Sequence, residues 1–157
     1  EVDWDERINL NGVDFKGIET QHFGWRYPGE KDRSAGHMKD GRSFNGFIME
    51  RYDKKILFGG DTTFTNKFKK HRDENIDIAI MPIGAYKPWR KYHCTPEEAL
   101  VMAEYHLGAK HFIPIHTKTF DSGEMILEPL NWLAKTSKNY NINVGLWDIG
   151  ETFTLKV

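Results

Sequence analysis

The stretch ILFGGDTTF, residues 56–64, decides the fold. Ile56, Leu57 and Phe58 make an apolar run that two glycines end at once, so it predicts a short buried strand rather than a helix. The strand delivers a carboxylate, Asp61, at its C-terminal end, with Thr62 and Thr63 behind it. Gly59 and Gly60 remove side-chain bulk beside the acid and are read as leaving room for an ion, a water and other ligands. Asp61 could equally cap a helix that starts after it.

The same design occurs twice more. GIETQH, residues 17–22, ends on His22, and HFIPIH, residues 111–116, ends on His116. Strands that finish on one edge of a sheet bring their last side chains together, and α/β proteins place their sites on that edge. Two imidazoles and a carboxylate suit zinc, and also iron or manganese. Taken singly, His22 could be a surface histidine and His116 a hydrogen-bonded core histidine; their repetition at strand ends is what points to a metal.

The rest of the chain supports an α/β layer arrangement. VDFKGIET (13–20) alternates as a strand does, and a long polar loop rich in glycine follows, of a length more often functional than idle. FNGFIMERYDKKILFGG (44–60) predicts two strands in a hairpin at Asp53 and Lys54. TNKFKKHRDEN (65–75) predicts a short helix and IDIAIMPIG (76–84) a buried strand. TPEEALVMAEYHLG (95–108) carries the clearest helix signals: Thr95 as N-cap, Pro96 at the first helical position, Glu98 completing a capping box and Gly108 as the stop. AKHFIPIH is a strand, PLNWLAKTSKNY (129–140) a helix, and NVGLWDIGETFTLKV (143–157) a closing hairpin turning at Gly150 and Glu151.

Composition bounds the function classes. The chain has 157 residues, 39% hydrophobic and 29% charged, with 13% aromatic, which is a globular rather than a disordered composition. A formal net charge of -1 gives no global field for nucleic acid, and none is expected as a partner. The lone cysteine, Cys94, excludes an internal disulfide and fits a reducing compartment; cytoplasmic location is the default expectation. KFKKHR (67–72) and KPWRKY (87–92) are basic enough to meet phosphates, but a solvated helix face and a packed loop explain them more simply.

The collinear order QHF, ILFGGDTTF, IAIMPIGAYKPWRKYHCTPEEA, LGAKHFIPIHTKTF, ILEP resembles the C-terminal half of a metallo-β-lactamase-fold hydrolase. Within that superfamily it is most similar to the N-acyl-phosphatidylethanolamine phospholipase D-like group, with the ascorbate-6-phosphate lactonase group further off. The resemblance implies half of an αββα sandwich: one mixed β-sheet with flanking helices, residues 1–157 forming the C-terminal half of the domain. It implies that His22 completes the ligand set of one metal, Asp61 bridges two, and His116 binds the second. The expected cofactor is zinc, two per complete site, with manganese or iron as substitutes. Two cations about 3.5–4 Å apart would activate a bridging hydroxide for attack on phosphorus or a carbonyl. His93, beside the best helix, is placed near the metals and would donate a proton or hydrogen-bond an oxyanion, so His93 and Asp61 are the catalytic candidates.

The resemblance also has gaps. The H-x-H-x-D-H motif that supplies the remaining ligands is absent, and no two of the seven histidines have the H-x-H spacing. The expectation is therefore a missing N-terminal half. The inner sheet face of this half would be apolar and would need that half, or a second copy of the chain, to cover it. Thr117 and Lys118 stand where the family tends to have Trp-Gly, and Lys118 would either favour an anionic substrate or be solvated. The expected activity is hydrolysis of a small-molecule or lipid phosphodiester. The alternatives are a sugar-acid-phosphate lactonase and a non-catalytic fragment or binding subunit without an assembled metal centre.

Overall fold

The computed structural model describes residues 2–23, 44–119 and 125–155. Among them, seven strands form one sheet in chain order: β1 (Arg7–Leu10), β2 (Val13–Ile18), β3 (Gly46–Arg51), β4 (Lys54–Phe58), β5 (Ile78–Pro82), β6 (His111–Ile115) and β7 (Asn143–Val144). The first four are antiparallel neighbours, and β4 to β7 pair in parallel. The change of direction follows from the connections, because tight turns reverse the chain whereas parallel neighbours need a crossover. β1 turns into β2 through Asn11 and Gly12, with φ of 52° and 78°, and β3 into β4 through Tyr52 and Asp53, with φ of 52° and 56°. Two left-handed residues in succession match the twist of the flanking strands. The second turn therefore lies one residue earlier than the sequence reading placed it, and Lys54 already pairs with Arg51.

The parallel crossovers carry the helical segments. A 3-10 segment, Lys67–Glu74, links β4 to β5. A single helical turn, α1 (Tyr86–Trp89), and the helix α2 (Pro96–Val101) link β5 to β6. The expected capping box of α2 is present: the Glu98 amide donates to Thr95 Oγ1 at 3.3 Å and the Thr95 amide to Glu98 Oε2 at 2.9 Å. α2 runs on as a wide turn over Met102–His106, where the Leu107 amide reaches the Met102 carbonyl at 3.0 Å, and Gly108 ends it with a φ of 65°. α3 (Glu128–Thr136) links β6 to β7. No helix among the described residues is long and apolar enough to cross a membrane.

Pairing register sorts the sheet into two unlike faces. Ile48, Leu57, Ala79 and Phe112 stand in one row across β3 to β6, all essentially inaccessible, and pack with Leu100, Ala103 and Leu133 from the helical layer. The opposite face carries Phe15, Met49 and Ile56 in one row and Phe47, Phe58 and Ile80 in the next. These residues are only half-buried, and Phe58 is exposed. Among the described residues this apolar sheet face is thus only partly covered.

Two elements differ from the sequence reading. β1 is an element the sequence reading lacks: RINL is only four residues long, and although Ile8 and Leu10 share a face, both are exposed. The closing hairpin of residues 143–157 is absent: β7 is two residues long, and no strand follows it as far as residue 155. The chain does double back, with Gly150 at φ 91° and the Phe153 ring against Gly145, where a Cβ would stand 2.9 Å from the ring. But Glu151 Oε2 accepts the amides of Trp147 at 2.7 Å and Asp148 at 2.9 Å, so a carboxylate takes donors that a ladder would need. Nearly all of the polar loop expected after His22, and part of the loop after His116, lie outside the described residues.

Candidate metal centre

The sheet puts four chemistry-bearing side chains on one edge by parity of direction. β2 is two reversals away from β4 and so runs parallel to it, as do β5 and β6. The segments leaving β2, β4, β5 and β6 therefore emerge together, carrying His22, Asp61, His93 and His116 respectively. The two threonines after Asp61 tie these segments to one another. The Gln21 amide donates to Thr62 Oγ1 at 3.0 Å and the Thr63 amide to the Gln21 carbonyl at 2.9 Å, fixing the His22 segment. The Cys94 amide donates to the Thr62 carbonyl at 3.0 Å, and Thr63 Oγ1 to the Arg90 carbonyl at 3.3 Å, fixing the His93 segment. The Ile83 amide donates to the Ile115 carbonyl at 3.0 Å, holding the ends of β5 and β6 in line. Asp61 caps no helix, since the first helical residue after it is Lys67.

All four side chains meet. His22, Asp61 and His93 each offer a ligand atom within 4.8 Å of the others. His116 Nε2 lies 3.5 Å from Asp61 Oδ1, and the His116 ring stands 5.0 Å from that of His93, which is 5.1 Å from that of His22. The tightest trio thus contains His93, which the sequence reading assigned to catalysis, while His116 approaches through Asp61. Tyr92 and Phe23 pack on His22, with ring centroids 5.9 Å and 4.1 Å from it. The sequence reading missed both; the signal was the aromatic residue directly before His93 in KPWRKYH.

The donor set fits a cation on observations internal to the site. His22 Nδ1 lies 3.2 Å from the Phe23 carbonyl, which can only accept, so Nδ1 carries the proton and Nε2 bears the lone pair. That Nε2 is buried and has no hydrogen-bond partner, and the same is true of His93 Nδ1. Buried imidazole nitrogens without partners are rare unless a ligand satisfies them. Burial also favours the neutral imidazoles that metals need. It lowers the His22 pKa against opposition from the Phe23 carbonyl and Asp61, and drives His93 down to about 4 against the attraction of Asp61, with His116 and His22 adding to the fall.

Other candidates resolve as structure. The Cys94 thiol is buried, hydrogen-bonds the Pro82 carbonyl at 3.3 Å, and is pushed up to about 12 chiefly by burial, which removes it as a nucleophile. His106 Nδ1 meets the Thr65 carbonyl at 3.0 Å, and His111 Nδ1 meets Asn143 at 3.1 Å. Lys67 and Lys70 pair with Glu19 and Asp5, and Lys87 and Arg90 with Glu128 and Glu98, so four cations of the two basic stretches are held within the chain. Glu128 ties α1 to α3 by also accepting the Tyr86 hydroxyl at 3.0 Å. Gly59 and Gly60 do not leave room for an ion. A Cβ on Gly59 would stand 2.7 Å from Met81 Sδ, and one on Gly60 3.1 Å from the Asn45 carbonyl oxygen, so protein atoms already fill the space they free.

Residues 1–117 match the family described as the beta-lactamase superfamily domain. The chain belongs to that family. It is 34% identical over 142 residues to a protein of Alkaliphilus metalliredigens (strain QYMF) named UPF0173 metal-dependent hydrolase, covering 87% of this chain and 61% of the relative. It is 34% identical over 147 residues to N-acyl-phosphatidylethanolamine-hydrolyzing phospholipase D 1 of Caenorhabditis elegans, covering 86% of this chain and 39% of the relative. Among solved structures, Igni18, described as a novel metallo hydrolase from Ignicoccus hospitalis KIN4/I, superposes with a TM-score of 0.71 at 19% identity, covering 99% of this chain and 60% of that one. The last likeness is one of fold. The chain spans less than two thirds of the length of each of these proteins.

Proposed function

We propose that this superfamily member contributes the metal-binding edge of a metal-dependent hydrolase that cleaves a phosphodiester. The observation that carries the proposal is the convergence of His22, Asp61, His93 and His116 with two buried, unpartnered imidazole nitrogens among them. His22 and His116 would each hold a metal, Asp61 would lie between them, and zinc is the metal expected from a set of imidazoles and a carboxylate. When bound, divalent cations would supply the Lewis acidity that activates water and stabilises a leaving oxygen.

The chain's own residues set the rest. His93, with its pKa near 4, is a neutral imidazole at pH 7, so its part is to offer an N–H or a lone pair rather than to deliver a proton. Phe23 and Tyr92 shield one side of the His22 ring from water. The name of the Caenorhabditis elegans relative, a phospholipase D, supports a phosphodiester with an acyl chain as substrate. The half-open apolar face is read as the seat of the second sheet of the sandwich, supplied by an N-terminal half of the fold or by a second copy of the chain.

The test is metal analysis of the purified protein at its natural length, followed by turnover of bis(p-nitrophenyl) phosphate. Two equivalents of metal and phosphodiester turnover, both lost in Asp61→Asn, are expected. Turnover of a sugar-acid lactone alone would replace the substrate class. Absence of metal would remove the enzymatic reading.

A further inference from the structure

We infer that Lys118 is a positioning residue for His116, clamping the loop that presents the imidazole. The inference builds on the metal reading above. His116 and Lys118 both adopt left-handed backbone, with φ of 60° and 66°. Two such residues within three positions, neither of them glycine, form a conformation that the chain leaves unless its surroundings hold it.

Packing alone does not hold it. A cavity of about 330 Å³ lies between residues 114–119, Leu130 and residues 146–149, so one side of the loop faces empty space. Across that space the Lys118 side chain is the tie. Its ammonium donates to the Trp147 carbonyl at 3.2 Å and pairs with the Asp148 carboxylate. The Lys118 side chain is only 17% exposed, so it is neither a solvated lysine nor a cation open to substrate.

The anchor is itself anchored. Glu151 Oε2 accepts the amides of Trp147 and Asp148, fixing the turn that presents both oxygens to Lys118. The line of force therefore runs from Glu151 through the 147–148 turn to Lys118, and from there to His116 and its 3.5 Å approach to Asp61. This also gives the C-terminal segment a task that a hairpin would not perform.

The test uses the protein at its natural length with Co²⁺ as the probe, its absorption reporting occupancy and coordination. Lys118→Met should bind Co²⁺ about tenfold more weakly and with an altered spectrum. Lys118→Arg, which can still reach both oxygens, should recover most of the affinity. Asp148→Asn should resemble Lys118→Met, with the double variant no worse than either alone. Lys110→Met, which removes an ion pair with Asp77 at the far end of β6, should leave Co²⁺ binding unchanged. In metal-free protein labelled with ¹³C-histidine, the His116 ring signal, assigned through His116→Asn, should broaden or split in Lys118→Met. An unchanged signal together with native Co²⁺ affinity overturns the inference, as does equal weakening by Lys110→Met. If the native protein binds no Co²⁺, the metal reading fails while the histidine signal still decides whether the clamp exists.

Discussion

Replacing Gly60 by alanine separates two accounts of the glycines beside Asp61. Gly60 has a φ of 60°, and an alanine held there costs about 1–2 kcal/mol from the clash of Cβ with the backbone. The reduced freedom of the unfolded chain returns about 0.4–1 kcal/mol, leaving a net loss of about 1 kcal/mol from conformation alone. The new Cβ would also stand 3.1 Å from the Asn45 carbonyl oxygen, which must give way by a few tenths of an ångström in a strand-entry segment tied to Val2. A total loss of about 1–2 kcal/mol is expected, read as a lower denaturant midpoint at unchanged slope. Gly59→Ala should lose about 1–3 kcal/mol for a different reason, overpacking against the inaccessible Met81. If the glycines instead kept space for an ion, Gly60→Ala would lose only the conformational part, Gly59→Ala would keep its stability, and both would lose metal. Native stability in Gly60→Ala, or a gain, would refute the reasoning.

Three further outcomes follow from the packing around the site. His71 is buried with Nε2 unpartnered, and burial, aided by Lys16 and Lys70, drives it down to about 4. Between its ordinary value of 6.5 and that point the unfolded chain binds a proton that the native one refuses, so stability falls as pH drops, by about 3 kcal/mol at most. His71→Gln should flatten that part of the pH–stability profile, and an unaltered profile would contradict the assignment. Thr95→Ala removes the N-cap of α2 and should cost about 1 kcal/mol, measured by chemical denaturation. Cys94 should resist thiol reagents at neutral pH until the protein unfolds, with labelling that tracks the unfolded fraction.

What the sequence shows of the fold depends on whether one residue type decides an element. The Asn11 and Gly12 pair, Thr95 with Pro96 and Glu98, and the glycine ends of β4 and α2 are such cases. Each states a backbone geometry that only those residues accept cheaply, and all appear in the structure. β1 escaped because its four residues give only two apolar positions, Ile8 and Leu10, too few to establish an alternation. The C-terminal hairpin was misread because the apolar residues there do alternate. Which acceptor wins the Trp147 and Asp148 amides is a contest between Glu151 and a ladder that pattern does not reveal.

The site was legible for a topological reason, and its division of labour was not. Side chains at strand ends share an edge only if their strands point the same way, and β2 does so because two reversals separate it from β4. A single added antiparallel strand between β2 and β4 would send His22 to the opposite edge, whatever its neighbours in sequence. Proximity then follows from strand direction, but coordination depends on which lone pairs face inward. A carbonyl fixes the tautomer at His22, burial keeps His93 neutral, and a left-handed turn tied through Lys118 presents His116. None of these three is encoded in the spacing of ligand-type residues. A site built from strand ends can therefore be located from its spacing, while each ligand's role has to be read from the hydrogen bond or burial that orients its ring.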